Sequence, residues 1–392
     1  GVEYYSVEDL IAKASKQIED TPGSVDAIVS YYDFPGTTLV PILAEKFGVP
    51  SPSLKSILKC EHKYWSRLEQ QKVIPNCVPH FFAFDPFDDE AYKKIDIVPP
   101  YWIKPIKSFR SFLAYKIHDE YQFNEVMKEV RENIDYMTEP FHYLFEAYHM
   151  PAEFTYMKEL CIAESPLTGH QCTVEGYVFD GEVVVYGIVD SIRERDRSSF
   201  ARYEYPSSLP QEIQFRMADV SRRAVAQIGL DNSPFNIEFF YNPTYNQVML
   251  LEINPRISQA HTDIFEKVHG IAHHHIMLNI ALGHRPATME LNGDFKVAAN
   301  FMLRTYESGR VMRVPSPEDV EAVTKKIPGT IVKLQVKEGM HLSELHGQDS
   351  YSYELANIFI GGKDQLELLG KYYRCLEELP FEIKRDEETV VY

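Results

Sequence analysis

A chain of 392 residues is long enough for two or three domains, and its 44% apolar content suits a globular core. A formal net charge of −18 excludes non-specific binding to nucleic acid or to anionic membranes, both of which need a basic surface, but leaves room for an anionic nucleotide held by a few local cations. No apolar run approaches the roughly 18 residues of a membrane span, no signal peptide is visible, and five scattered cysteines without CxxC spacing read as free thiols in a reducing cytosol.

The chain opens at Gly1 directly before a strand-like VEYY, so the true N-terminus is expected to lie upstream. Residues 1–50 alternate strand and helix patterns: VEYY, the amphipathic VEDLIAKASKQIED, the apolar VDAIVSYYD read as a buried parallel strand, and TTLVPILAEKFG read as a helix closed by Gly48. That βαβα order predicts a parallel sheet faced by helices. Residues 54–72, LKSILKCEHKYWSRLEQQK, predict a basic amphipathic helix or helix pair. An extended segment with two prolines, IPNCVPHFFAFD, leads into an acidic loop over 85–94, a candidate boundary. From 97 to 165 the pattern is α+β, with a strand in VPPYWIKPI, helices across 119–148 and a strand in YMKELCIAE. TVEGYVFDGEVVVYGIVD predicts a hairpin turning at Asp180-Gly181, followed by a charged loop over 193–205. LPQEIQFRMADVSRRAVAQIG reads as a long helix stopped by Gly229.

Next comes FNIEFFYNPTYNQVMLLEINPRISQAHTDIF, residues 235–265. Its two apolar strands flank Asn242–Asn246, where Pro, Asn and Thr supply turn chemistry. A turn centred on Tyr245 sets Glu238 directly opposite Glu252, with Asn254 two residues further along the same face. Ile237, Phe239, Tyr241, Met249, Leu251 and Ile253 then form an apolar opposite face. Directly opposed carboxylates stand about 5 Å apart at Cβ and repel. A buried pair either protonates one member or holds a cation. Two carboxylates and an amide oxygen make an all-oxygen set that suits Mg²⁺ or Mn²⁺ over zinc, and an ion with so few protein ligands completes its shell with water and substrate phosphates. The other reading of the same residues is a solvent-facing strand carrying ordinary surface acids.

The pattern Glu238, thirteen residues, Glu252-x-Asn254-Pro255-Arg256 resembles the metal-binding signature of the ATP-grasp superfamily. PSLKSILKCEHKYWSRLEQQKVIPNCVP is similar to the exit of a pre-ATP-grasp domain, where the family carries a lysine that reaches the nucleotide, here Lys63. YWIKPI resembles the strand with the second ATP lysine, Lys104, and IAESPLTGHQCTVEGYVFDG the adenine hinge, with Glu164, Ser165 and Leu167 as contacts. NPRISQAHTDIFEKVHGI and LNIALG resemble the biotin-carboxylase-like branch, which includes L-amino-acid ligases. The resemblance implies an α/β and α+β fold: a pre-ATP-grasp parallel α/β domain (1–90), the small lobe (91–168) and large, metal-binding lobe (169–300) of an ATP-grasp fold, and a small C-terminal α+β region (301–392). Two departures stand out. Where the family has a Gly-rich phosphate loop this chain has KSFRSFLA, in which Ser108 and Ser111 offer hydroxyl and N–H donors and Lys107 and Arg110 add charge; and the hinge acid Glu164 is followed by Ser165 instead of a second acid.

The resemblance implies ATP and Mg²⁺ or Mn²⁺ as cofactors, with two ions bridged by Glu252, one completed by Glu238 and the other by Asn254. It gives Arg256 the catalytic role, gripping the transferring group with its planar fork. The loop IRERDRSSFARYEYP follows the alternating-charge pattern of a self-paired solvated loop, but similar enzymes place this segment beside the acceptor, which makes Arg193 and Arg202 substrate candidates together with Glu175 and His261. His273, His274 and His275 are consecutive, so on a helix they cannot converge on one ion. The expected activity is ATP-dependent ligation of a small-molecule carboxylate and an amine through an acyl phosphate, with ADP and phosphate released, acting on amino-acid-like compounds in the cytoplasm, with no nucleic-acid or membrane partner and a homodimer as an allowed assembly. Rivals are a biotin-carboxylase-like carboxylase and a non-catalytic ATP-binding module.

Overall fold

The computed structural model describes residues 6–108, 112–155, 160–195, 197, 199–345 and 352–386. Two compact units make up the chain: one of Gly1–Tyr186, Leu209–Ile257 and His275–Ala287, the other of Gly187–Ser208, Ser258–His274 and Thr288–Tyr392.

Among the described residues the first unit begins with helices. In α1 (Val7–Asp20) Ser6 caps the N-terminus by accepting from the Asp9 N–H, and Glu8 and Asp9 oppose the helix dipole. Then come α2 (Gly36–Phe47), α3 (Leu54–Glu61) and α4 (Lys63–Val73). Of the helix or helix pair expected over 54–72 the structure has the pair, broken at His62, which leaves helical geometry and caps α4 by accepting from the Trp65 N–H at 3.1 Å. Strands β1 (Phe81–Phe84), β2 (Tyr101–Pro105), β3 (Tyr115–Ile117) and β4 (Cys161–Glu164) form an antiparallel sheet in the order β1-β4-β2-β3. The short helix α5 (Ala91–Lys94) and helices α6 (Glu120–Asn133), α7 (Asp135–Ala147) and α8 (Ala152–Thr155) accompany it. Ile103 and Ile117 of the sheet bury against Phe123, Met127 and Val130 of α6. β5 (His170–Phe179) turns into β6 (Glu182–Arg193) at Asp180-Gly181, where φ of 50° and 76° gives the two-residue turn that suits a right-twisted hairpin.

Residues 25–33 carry no strand. A parallel strand needs burial on both faces and a neighbour on its edge, but Val29 is 38% and Tyr32 61% exposed, and among the described residues no ladder partner lies beside them. The VEYY segment lies outside the described residues. In the second unit the charged stretch expected as a loop over 193–205 contains β7 (Phe200–Tyr205), paired with β6. Arg202 and Glu204, which made the stretch look solvated, bond to each other at 2.8 Å.

Helix α9 (Gln211–Ile228) ends at Gly229, whose φ of 76° suits glycine. It leads to β8 (Ser233–Asn242) and β9 (Gln247–Asn254), so that β5, β8 and β9 run antiparallel side by side. α9 covers the apolar face of this ribbon, with Cys172 Sγ 3.4 Å from Met217 Sδ. Next in the chain come α10 (Thr262–His269) of the second unit and α11 (His274–Ala281). The rest of the second unit comprises β10 (Val297–Thr305), β11 (Gly309–Arg313), α12 (Pro317–Lys326), β12 (Thr330–Leu334), β13 (Tyr353–Gly362), α13 (Gln365–Glu378) and β14 (Glu382–Arg385). β10 lies between β7 and β13, β12 adds at the far edge, and Ile358, Ile360, Leu368 and Cys375 build that unit's own core with Val323 and Ile327. All five cysteines are free; Cys60, Cys161, Cys172 and Cys375 are buried and Cys77 is partly exposed. No helix among the described residues is long and apolar enough to cross a membrane.

Candidate active site

One face of the β5-β8-β9 ribbon is polar. Cross-strand register pairs Thr173 with Glu238, Glu175 with Asn236, Asn236 with Asn254, and Glu238 with Glu252. The opposition of Glu238 and Glu252 is the one expected, but it arises by a different route. Near the turn the ladder pairs Asn242 with Gln247 and Phe239 with Leu250; a β-bulge then leaves Leu251 unmatched and brings Glu252 against Glu238. The bulge also corrects the expected core face of β9. Val248, Leu250 and Ile253 are buried, whereas Met249 and Leu251 are not, because the extra residue shifts the alternation by one.

Glu238 accepts from Gln171 Nε2 at 3.0 Å. Glu252 is 38% exposed and stands 3.6 Å from Lys63 Nζ. Burial works to raise its pKa, but Lys63, Lys104 and Lys107 outweigh burial and Asp33 and hold the carboxyl below its ordinary range. Asn254 is buried on the same face. The residues fit a hard divalent cation: the donors are oxygens, and the two carboxylates are directly opposed, so that a cation held between them relieves their repulsion.

The neighbouring cations divide into two kinds. Lys63, the first residue of α4, donates from Nζ to the Ser108 carbonyl at 2.9 Å and so sits between the acid pair and the start of the 108–111 segment. Lys104, in β2, meets Glu164 Oε2 at 2.5 Å. The other carboxylate oxygen of Glu164 is 2.5 Å from Arg67 Nε. Burial would push Glu164 up; Arg67 and Lys104 bring it down to about 2. Lys107 is not available as a phosphate contact in the way the sequence suggests. It is buried, paired with Glu61, and its ammonium lies over the rings of Phe34 and Phe141. Ser108 is buried, while Arg110 and Ser111 lie outside the described residues. Ser165 donates its backbone N–H to the His80 carbonyl at 2.9 Å, and Leu167 is half-buried in the segment between β4 and β5.

Arg256 follows β9 directly. Its Nε lies 2.7 Å from Asp33 Oδ1, in the loop before α2. Burial works against its charge, but Asp33, Glu175 and Glu238 raise its pKa above the ordinary value. Glu175 is fully buried and accepts from Asn236 Nδ2 at 2.6 Å. The structure thus gathers Lys63, Lys104, Glu164, Glu175, Glu238, Glu252, Asn254 and Arg256 in the first unit. Ser108, Ser165 and Leu167 belong to the first unit as well; the second holds Arg193, which lies over the Phe200 ring, Arg202, which pairs with Glu204, and His261, which is buried edge-on against Tyr203.

Sequence reasoning passed over three residues here. Arg67 is buried in α4 and, besides Glu164, donates to the carbonyls of Leu250 and Leu251 at 3.1 and 2.7 Å, so it stitches the bulge in place. Asp33 sits in an apolar run, and Asn236 looks like one polar residue among strand hydrophobics. Only Asn236 left a signal, since it shares the period-two face with Glu238.

Residues 97–263 match the ATP-grasp domain family. The fold resembles that of the L-amino acid ligase from Bacillus licheniformis (TM-score 0.74, 16% identity, covering 96% of this chain and 86% of that one). It also resembles the biotin carboxylase domain of the Hydrogenobacter thermophilus 2-oxoglutarate carboxylase, a structure in complex with MgADP, ADP and bicarbonate (TM-score 0.66, 16% identity, 96% and 78% covered). In sequence, 69 residues are 32% identical to the carbamoyl phosphate synthase large chain of Micrococcus luteus, 18% of this chain and only 6% of that protein.

Proposed function

We propose, from the premise that residues 97–263 form an ATP-grasp domain, that the protein is an ADP-forming ligase joining a small carboxylate to an amine through an acyl phosphate. The observation that carries this reading is the direct opposition of Glu238 and Glu252, with Asn254 on the same face and Lys63 3.6 Å from Glu252. A free carboxylate does not acylate an amine at neutral pH because oxide is too poor a leaving group; phosphorylation removes that obstacle, and the protein's task is then charge neutralisation and alignment.

Glu252, Glu238 and Asn254 would hold Mg²⁺ or Mn²⁺ in this reading. Bound there, the metal neutralises charge developing on the phosphates. Lys63 and Lys104 bind phosphate oxygens; Glu164, tied to Arg67, keeps Lys104 extended along β2. Ser108, Ser111, Ser165 and Leu167 border the nucleotide. Arg256, oriented through Nε by Asp33, offers its remaining N–H groups to the transferring group and then to the tetrahedral carbon's oxyanion. Arg193, Arg202 and His261 are proposed for the acceptor. The four-part division at 90, 168 and 300 belongs to the same reading, and the free thiols fit a cytoplasmic setting.

The test is an ADP-release screen over pairs drawn from amino acids, small carboxylates and amines, with mass spectrometry of the products. An amide product supports the ligase. ADP release that depends on bicarbonate and free biotin would instead make it a carboxylase, and nucleotide binding without turnover would make it a binding module. Glu252→Gln is expected to abolish turnover at an unchanged circular dichroism spectrum; wild-type-like ADP release from the folded variant would overturn the metal assignment.

A further inference from the structure

We infer that Asn236 and Glu175 are positioning residues which fix the amide of Asn254 so that its oxygen, and not its nitrogen, faces the metal. This rests on the metal reading above and goes beyond it, because it removes Glu175 from the substrate contacts and gives Asn236 a role.

The argument is one of hydrogen-bond direction. Asn254 Nδ2 donates to Asn236 Oδ1 at 3.5 Å, and Asn236 Nδ2 donates to Glu175 Oε1 at 2.6 Å. An amide can be flipped without changing its shape, and only its partners decide which end is which. Here the chain ends on a carboxylate, which accepts and does not donate. Asn236 must therefore turn its NH₂ toward Glu175, which leaves its oxygen for Asn254. Asn254 must answer with its own NH₂, and its oxygen is left on the other side. All three side chains are buried and stand on adjacent strands in direct register. Arg256, whose charge Glu175 stabilises, supports the acceptor end of the relay. A wrongly turned amide would present N–H groups to a cation and repel it, so a site with one amide ligand needs such a device, whereas its two carboxylate ligands do not.

The relay predicts that a ligand with no wrong end makes it dispensable. A carboxylate at position 254 presents an oxygen in either orientation. Calorimetry with Mn²⁺ and a non-hydrolysable ATP analogue on the full chain measures the metal-dependent part of binding. Asn236→Leu is expected to weaken it about tenfold in the wild-type background, and by less than about twofold once Asn254→Asp is present. A second set does not depend on Asn254→Asp being tolerated. Glu175→Gln alone makes the relay's direction ambiguous and weakens binding. Glu175→Gln combined with Asn236→Asp restores the direction, because the new amide at position 175 donates to an acceptor-only neighbour, and binding recovers. Equal losses from Asn236→Leu in both backgrounds, or no recovery in the swapped pair, would overturn the relay while leaving the function standing. A wild-type chain whose analogue binding ignores Mn²⁺ would overturn both.

Discussion

Glu164 is a carboxylate that burial alone would neutralise. Arg67 and Lys104 keep it ionised down to about 2, against an ordinary 4.5. Its folded pKa is depressed, so its contribution to stability is complete above 4.5 and is lost as pH falls from there toward 2. Taking Arg67 away leaves a buried carboxylate with one partner and removes the side-chain donor from two bulge carbonyls. Arg67→Met is expected to cost about 3–5 kcal/mol in urea unfolding at pH 7, with a deficit that shrinks toward pH 4 as the carboxyl, left with Lys104 alone, takes up a proton. A deficit constant between pH 7 and 4 would mean that the lost packing, and not the charge, mattered. Of these side chains the sequence announces Lys104, an ammonium in an apolar strand. It hides Arg67, because an arginine on a basic amphipathic helix looks solvated until the carbonyls that surround it are brought in from residues 250 and 251.

At the level of elements, the break at His62 is both a cap and a pH-sensitive point. Burial, with Lys63 and Lys107 adding to it, lowers the His62 pKa to about 3, so the ring is neutral in the folded chain. The unfolded chain takes up a proton near 6.5, so stability is complete above that pH and declines as pH falls from 6.5 toward 3. His62→Asn keeps an N-cap acceptor and removes the titration. The melting temperature of the wild type is expected to fall between pH 7 and 5 more steeply than that of the variant; parallel curves would remove His62 from the account. The helices were legible because their stops are local: Gly48 and Gly229 both mark the boundaries they suggested. The hairpin's acid pair was legible from the turn, yet the half-residue error in its centre was cancelled by a bulge that no local pattern reveals. Residues 25–33 misled because an apolar run does not say whether a neighbouring strand exists to pair with it.

For the molecule as a whole, the two units have separate cores. Ile103, Ile117 and Phe123 pack in one, and Ile358, Ile360 and Leu368 in the other. Their thiols are distributed to match, with Cys60, Cys161 and Cys172 buried in the first unit and Cys375 in the second. The protein therefore contains its own pair of clocks. A maleimide added to the native chain should mark Cys77 first, and the buried sulfurs only as fast as their surroundings open. Peptide mapping over time then reads the opening rate of each half separately, without introducing a single probe. Mg²⁺ and ATP together are expected to slow the marking of Cys60, Cys161 and Cys172, since a ligand bound to the folded form opposes opening.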